Sequence, residues 1–498
     1  MTVRIAVVGH AGVEPALKHL AWPSSMRRIV ESWLGEPVEL IELRASTLSR
    51  AADEARQLPP GGIDAALLAL SSEAWAREGS ETLRRNLAKV ALALSRAAPA
   101  VILSTPTPIT SDYAERVSYL DYLRAAARLR AAAGVVKEAA DATGAAVADL
   151  HSALSRSPGL PRLVRGAELT PAGHSAAAPL VAKAVLRLLG VVDFPDVELL
   201  DLLRVYGDGR HNAFTDLARW RGAYYIAFRN ASSHFDPKAA EGKILVLRSA
   251  DLRRWRRVAV LHVEGWDNRD PKLHPVGDRL YLFTQSWSPE ERTHRTFMFC
   301  TDDGESWEGP YDCGEYVFWR PRRLAGWTYV AAYTGWDGED WEVHLLRSKD
   351  CMRWELVTVM HRGECVNETD LLFDGDEAVA FARRECGPRT TLLLRSRYPF
   401  TKWEAEDLGV IVQSPALLRH EGRLLLSGRL LDGGQGVPPR TAVLDATRGS
   451  PKLLIELPSG GDNAYPGMVG LGEGLLAISY YSSHEEATNV YLALLHLR

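Results

Sequence analysis

"CTDDGESW", residues 300–307, sets the architecture of the longer part of this chain. It is a Gly/Asp/Ser turn closed by a Trp, and the pattern returns. "RSADLRRW" ends at Trp255, "RSKDCMRW" at Trp354 and "RSRYPFTKW" at Trp403, so successive Trp residues are 52, 47 and 49 residues apart. In such a turn a Ser and an Asp bond backbone groups between two strands, and the Trp that follows packs between neighbouring sheets. A unit of about 50 residues with about four strands cannot bury both faces alone, so the repeat predicts a β-propeller.

Outward from the turns, the inner strands are expected at "HNAFTDL", "NRDPKL", "FWRPRRL", "NETDLLF", "QSPALL" and "NAYPGMV". Six starts spaced by 46 to 57 residues predict six blades. The sixth has only three strands before Arg498, and "DVELLDLLRVYG", ahead of the first blade, is expected to supply its outer strand and remove the open edge.

Residues 1–192 follow a different grammar. "RIAVVGH", "PVELIEL", "IDAALLAL" and "AVILSTP" are strand-like runs, separated by Ala/Arg/Leu-rich segments with apolar residues three and four apart. This alternation predicts an α/β domain with a flavodoxin-like parallel sheet over 1–192, and the propeller over 193–498, joined through "GVVDFPDVE". The chain is thus expected to be multidomain, α/β followed by all-β.

With 59 basic and 63 acidic side chains the formal net charge is −4, so nothing in the balance points to nucleic acid. No run reaches transmembrane length and no secretory leader pattern opens the sequence, so no membrane partner and a cytoplasmic location are expected. The five cysteines (Cys300, Cys313, Cys351, Cys365, Cys386) lack CxxC spacing and read as free thiols. The histidines lack ligand spacing, so neither a metal nor a cofactor is expected.

The N-terminal half resembles the SGNH hydrolases, on "REGSETLRRNLAKVALALSRAAPAVILSTPTPI", "AAVADLHSAL" and "LTPAGH". The resemblance implies four catalytic blocks, and each is changed. Its nucleophile position falls on Ala11, after Gly9 and His10; its second block falls near Ala45 and Ser46. Its third carries Ser71 and Glu73, and Arg165 and Glu168 replace the Asp and His of the fourth. Without nucleophile, base or oxyanion donors a site does no acyl transfer. The half is expected to be inactive, kept for packing, glycan contact or homo-oligomer formation.

The second half resembles the sialidase superfamily. "CTDDGESW" is one position from that family's Asp box, S-x-D-x-G-x-[ST]-W, with Cys300 in place of Ser, and a Tyr stands in the last blade's first strand. The starts of inner strands ring one mouth of a propeller, where side chains distant in sequence converge. That ring is expected to hold Arg210, Asn212, Asp216, Arg269, Asp270, Trp319, Arg320, Asn367, Glu368, Gln413, Ser414, Asp462 and Tyr465, with Arg229, Arg383, Arg384, Arg429 and Tyr481 from second strands. By the resemblance Tyr465 is the nucleophile, Glu368 its base partner and Asp216 or Asp270 the acid/base. Arg210, Arg269 and Arg320 are the carboxylate clamp, and Asn212, Arg229, Trp319, Arg384, Arg429 and Tyr481 complete the substrate pocket.

The expected function is exo-hydrolysis of a glycan bearing a terminal acidic sugar, sialic or a related nonulosonic acid. Two alternatives stand beside it: a glycan-binding protein with both halves inactive, and a glycosidase for another acidic sugar. A five-bladed glycosidase or phosphorylase would need three channel carboxylates and five blades.

Overall fold

The structure is a computed structural model that describes residues 2–9, 15–236, 238–335, 341–432 and 436–498, with side chains from residue 18 in the second of these segments. The chain divides into two compact units. One comprises Met1–Leu202, Lys452–Pro458 and Leu494–Arg498; the other comprises Leu203–Pro451 and Ser459–Ala493. Among the described residues no helix is long and apolar enough to cross a membrane.

The first unit carries a parallel sheet of β1 (Val3–Val8), β2 (Val38–Leu43), β3 (Ala65–Leu68), β4 (Ala100–Ser104) and β5 (Ala146–Ala148), in the order β2-β1-β3-β4-β5. This is the flavodoxin-like doubly wound order. β3 and β4 are buried throughout, as strands covered on both faces must be. Leu48, Ala51, Leu87, Val90, Leu94 and Val136 bury helix stripes in this unit's core. "LTPAGH" is a helix start: the Thr170 side chain accepts from Gly173 N–H at 3.1 Å, and Pro171 opens the helix Pro171–Leu188. A Cβ on Gly173 would run into the Leu163 carbonyl, so this turn requires glycine for close approach. Glu168 is exposed and 3.8 Å from Arg116. His10 and Ala11 lie outside the described residues.

Six sheets follow, each beginning with an inner strand: His211–Trp220, Asp267–Val276, Val317–Phe318 continued by Arg322–Leu324, Val366–Asp374, Ile411–His420 and Asn463–Gly472. They form a six-bladed propeller. In the sixth blade the outermost strand is Val197–Tyr206, which completes the sheet begun by the chain's last three strands.

Three of the four repeated turns share one bonding scheme; the fourth, ending at Trp403, has no Asp, and its Ser396 hydroxyl donates to the Lys402 carbonyl. Asp251 Oδ1 accepts from Arg253 and Arg254 N–H, Asp350 Oδ1 from Met352 and Arg353, and Asp303 Oδ1 from Glu305 and Ser306. The hydroxyl two residues earlier is Ser249, Ser348 and Thr301 respectively. Thr301 therefore takes the place that the motif comparison assigns to Cys300. Cys300 is buried in the strand, and Asp302 instead pairs with Arg279 at 2.6 Å. Gly304 has φ +79°, and a Cβ there would strike the Tyr225 hydroxyl.

One cysteine expectation is corrected. Cys365 and Cys386 form a disulfide, with Cα atoms 5.3 Å apart, while Cys300, Cys313 and Cys351 are free. The pair flanks the hairpin of blade four, so antiparallel pairing brings together residues 21 apart in sequence.

Candidate functional site

The geometry of the propeller mouth starts from a backbone irregularity that repeats around the ring. Five inner strands slip register at the same place: opposite Ala227/Arg229 in blade one, and at Arg269/Lys272, Val366/Thr369, Gln413/Ala416 and Ala464/Gly467 in blades two, four, five and six. In blade three the strand breaks between Phe318 and Arg322. A bulge re-aims the side chain it carries. Phe214, Asp270, Ser414 and Tyr465 sit there with φ of 60°, 44°, 50° and 48°, a conformation that costs about 1–3 kcal/mol each and collects at functional sites.

At this level Tyr465 and Glu368 meet. The phenol of Tyr465 donates to Glu368 Oε1 at 2.5 Å, and Arg383 Nη1 lies 2.9 Å from that same oxygen. Glu368 Oε2 accepts the backbone N–H of Ser414 at 2.9 Å. Burial works to raise the Glu368 carboxyl, but the Arg383 charge and the Tyr465 and Arg383 hydrogen bonds hold it below the usual carboxylate range. Burial, then the charges of Glu368 and Asp270, push the Tyr465 phenol well above its ordinary value. The pair is a neutral phenol bonded to an ionised carboxylate. Arg429 lies 5.7 Å from the Tyr465 ring centroid, and Phe214, Trp319 and Tyr481 surround that ring at 4.7, 5.8 and 6.0 Å.

Asp270 completes the arrangement. Its Oδ2 accepts from Gln285 Nε2 at 2.5 Å, and Gln285 is held in turn by His294 at 3.0 Å. Its Oδ1 is buried without a hydrogen-bond partner among the described residues. Lys272, two residues on, lies wholly inside the channel with its ammonium 4.1 Å from the Trp319 ring centroid. Burial and the charge of Arg320 push it down to about 8, against the opposing pull of Asp270, Asp216 and Glu368.

Several expected residues stand elsewhere. Asp216 and Arg320 form a buried ion pair with each other. Asp216 also accepts Leu273 N–H at 2.8 Å, and Arg320 donates to the Pro466 carbonyl. Both line a polar cavity of about 60 Å³ with Lys272, Arg322, Leu273 and Met468, two residues beyond the bulges. In this structure Asp216 ties blade one to blades two and three through the Leu273 N–H and Arg320. Close approach at this tie leaves no room for a side chain on Gly467, whose Cβ would strike Leu217 N and Asp216.

Arg210 is 45% exposed and pairs with Glu241 at 3.3 Å. Asn212, fully buried, donates to Asp208 and to the Thr488 carbonyl. Arg229 is buried, with Nε and Nη2 donating to Asp267 at 2.8 and 3.1 Å and Nη1 to the Ser233 carbonyl at 2.7 Å. Arg384 turns away from the mouth to Glu364 and Asp407. Strand alternation makes its neighbour Arg383 the one that reaches Glu368.

Arg269 stays at the mouth, its guanidinium 4.7 and 5.2 Å from the Phe214 and Phe235 ring centroids and bonded to Asp267 and to the His234 carbonyl. Trp319 donates to the Pro415 carbonyl. Tyr481 donates to Asp462 Oδ1 at 2.8 Å and receives Arg429 Nη2 at 3.0 Å. Gln285, His211, His234 and Lys272 were not anticipated. The signal that marks the bulge level was present as Asp270-Pro271, Arg320-Pro321, Ser414-Pro415 and Tyr465-Pro466, because Pro fits where the ladder is interrupted.

No protein-family model matches the sequence, and no curated protein does. Among solved structures, a Dyadobacter fermentans protein of unknown function is similar over 61% of this chain and 99% of its own, with 21% identity and a TM-score of 0.53. A Trypanosoma rangeli sialidase in complex with 2,3-difluorosialic acid matches 57% of this chain and 54% of its own at 12% identity and a TM-score of 0.45. An α-L-arabinofuranosidase from Fusarium graminearum matches 57% of this chain and 93% of its own at 12% identity and the same TM-score. These are likenesses of fold.

Proposed function

We propose that the propeller is a glycoside hydrolase of the sialidase-like class, exo-acting on a glycan with a terminal acidic sugar, sialic or a related nonulosonic acid. The observation that carries this reading is the Tyr465–Glu368 hydrogen bond with Arg383 on the same carboxylate oxygen. Where the anomeric carbon bears a carboxylate, a carboxylate nucleophile is repelled and a neutral phenol is not.

In the first step the Tyr465 oxygen bonds to the anomeric carbon while the glycosidic C–O bond breaks. Glu368 takes the phenol proton, and Asp270 protonates the leaving oxygen. In the second, Asp270 draws a proton from water, which attacks the anomeric carbon, and Glu368 returns its proton to the departing phenolate. Arg383 and Arg429 offset the charge that develops on the phenol oxygen. Arg269 and Arg429, lying over the Phe214 and Tyr465 rings, are assigned to the sugar's own carboxylate. The same reading takes the first unit as an SGNH-like fold without its catalytic groups, supported by the exposed Glu168 at the family's histidine position.

A glycan-binding protein without turnover is the second reading. It is favoured by one fact: Arg269, Arg383 and Arg429 each already engage a protein carboxylate, respectively Asp267, Glu368 and Asp462. Aryl glycosides of sialic, related nonulosonic and uronic acids, assayed with wild type and Tyr465→Phe, separate the two. Turnover lost in Tyr465→Phe supports the hydrolase, equal turnover removes Tyr465 as nucleophile, and saturable binding without turnover supports the second reading.

A further inference from the structure

We propose that His211, His234 and Asp462 form a binding site for a divalent transition-metal ion, zinc by the chemistry of the donors, beside the Tyr465 pocket. His211 opens the inner strand of blade one, His234 lies beyond that blade's second strand, and Asp462 immediately precedes the inner strand of blade six. Residues 211, 234 and 462 have no ligand spacing along the chain, so the sequence marks none of them as a metal ligand. Adjacency of the first and last blades assembles them.

The donors converge on one point. Asp462 Oδ2 lies 2.9 Å from His211 Nε2 and 2.5 Å from His234 Nδ1, and all three donor atoms fall within 4.8 Å of one another. Ligands at the usual ~2.0–2.2 Å from zinc stand ~3.3 Å apart in a tetrahedron, so an ion fits after shifts of about 1 Å. Two imidazoles and one carboxylate suit zinc and leave a position for water or a sugar oxygen.

The surroundings are those of a held site. Asp462 divides its oxygens, Oδ2 facing the imidazoles and Oδ1 bonded to Arg429 at 2.9 Å and Tyr481 at 2.8 Å. Such outer contacts orient a ligating carboxylate. Arg269 pins the His234 carbonyl at 3.0 Å, and the Phe214 ring packs against both imidazoles, 6.3 Å from His211 and 5.2 Å from His234. His211 is buried and its Nδ1 has no partner among the described residues, so its hydrogen bonding is directed at Asp462. His234 is 49% exposed and gives an ion a route from solvent.

The test uses untagged full-length protein stripped with a chelator, then titrated with Zn²⁺ by calorimetry and with Co²⁺ by visible absorption. Wild type is expected to take up one equivalent, with the d–d bands of a low-coordinate cobalt site. His234→Ala, on an exposed segment, should weaken binding at least about 30-fold, and His211→Gln should do the same. Tyr465→Phe, which removes no donor, should bind as wild type does. No saturable uptake by wild type, or unchanged stoichiometry and affinity in His234→Ala, would overturn the proposal.

Discussion

The phenol of Tyr465 donates to Glu368 at 2.5 Å although 97 residues of chain separate the two. Both side chains stand at the bulge level of their inner strands, and Tyr465 is only 7% exposed. Burying the Glu368 charge costs the fold desolvation energy, which the hydrogen bond from Tyr465 and the Arg383 contact offset. Tyr465→Phe keeps the ring among Phe214, Trp319 and Tyr481 and leaves Glu368 paired with Arg383. On the hydrolase reading, kcat/KM for an aryl glycoside of an acidic sugar should fall by about 10³-fold or more, with Tm within a few degrees of wild type.

Asp270 and Asp216 come from neighbouring blades, and substitution should separate their work. Asp270→Asn should slow cleavage strongly for poor leaving groups and little for activated aryl ones, because a good leaving group needs no proton. Asp216→Asn removes the closer of two carboxylates on buried Arg320, Asp370 standing 3.8 Å away, and breaking a buried pair costs about 3–5 kcal/mol. Its signature should be a lowered denaturation midpoint with kcat/KM of the folded enzyme changed only a few-fold. A leaving-group-dependent loss in Asp216→Asn instead would return it to the chemistry.

Much of the propeller was legible because its signals are local. A turn closed by Trp every 47 to 52 residues fixes strand order, and the strand-short sixth blade points to Val197–Tyr206. The site was less legible because a bulge changes which face a side chain takes. Without the slip at Ala213–Asp216, strand alternation does not say that Phe214 faces Tyr465 while Asp216 faces Arg320. The adjacent pair Arg383 and Arg384 differ by one step of the same alternation, and only Arg383 reaches Glu368. The histidines beside Asp462 belong to blade one, so their meeting depends on ring closure, which no local pattern encodes.

The Cys365–Cys386 bond should appear as one disulfide and three free thiols on mapping under non-reducing conditions. It closes a loop of 21 residues, and in the chain-entropy account that is worth about 3 kcal/mol. Cys365→Ser or reduction should therefore lower Tm by a few degrees. Alkylation of all five thiols without denaturant would overturn the pairing.

Lys272 provides the sharpest pH test, because its ammonium is buried among Asp270, Asp216, Glu368 and Arg320. Its value falls from 10.5 to about 8 on folding, so between these limits the unfolded chain binds more protons than the folded one. Stability attributable to this group therefore rises with pH across about 8 to 10.5, and is lost as pH falls through 8. In Lys272→Met the apolar stem remains against Trp319 and the titration is removed. The stability difference, wild type minus variant, should be flat below pH 7 and shift in favour of wild type as pH rises from 8 to 10, read from chemical denaturation at each pH. A difference that is flat through pH 10 would mean that the ammonium keeps its proton, held by the three carboxylates more strongly than burial opposes them.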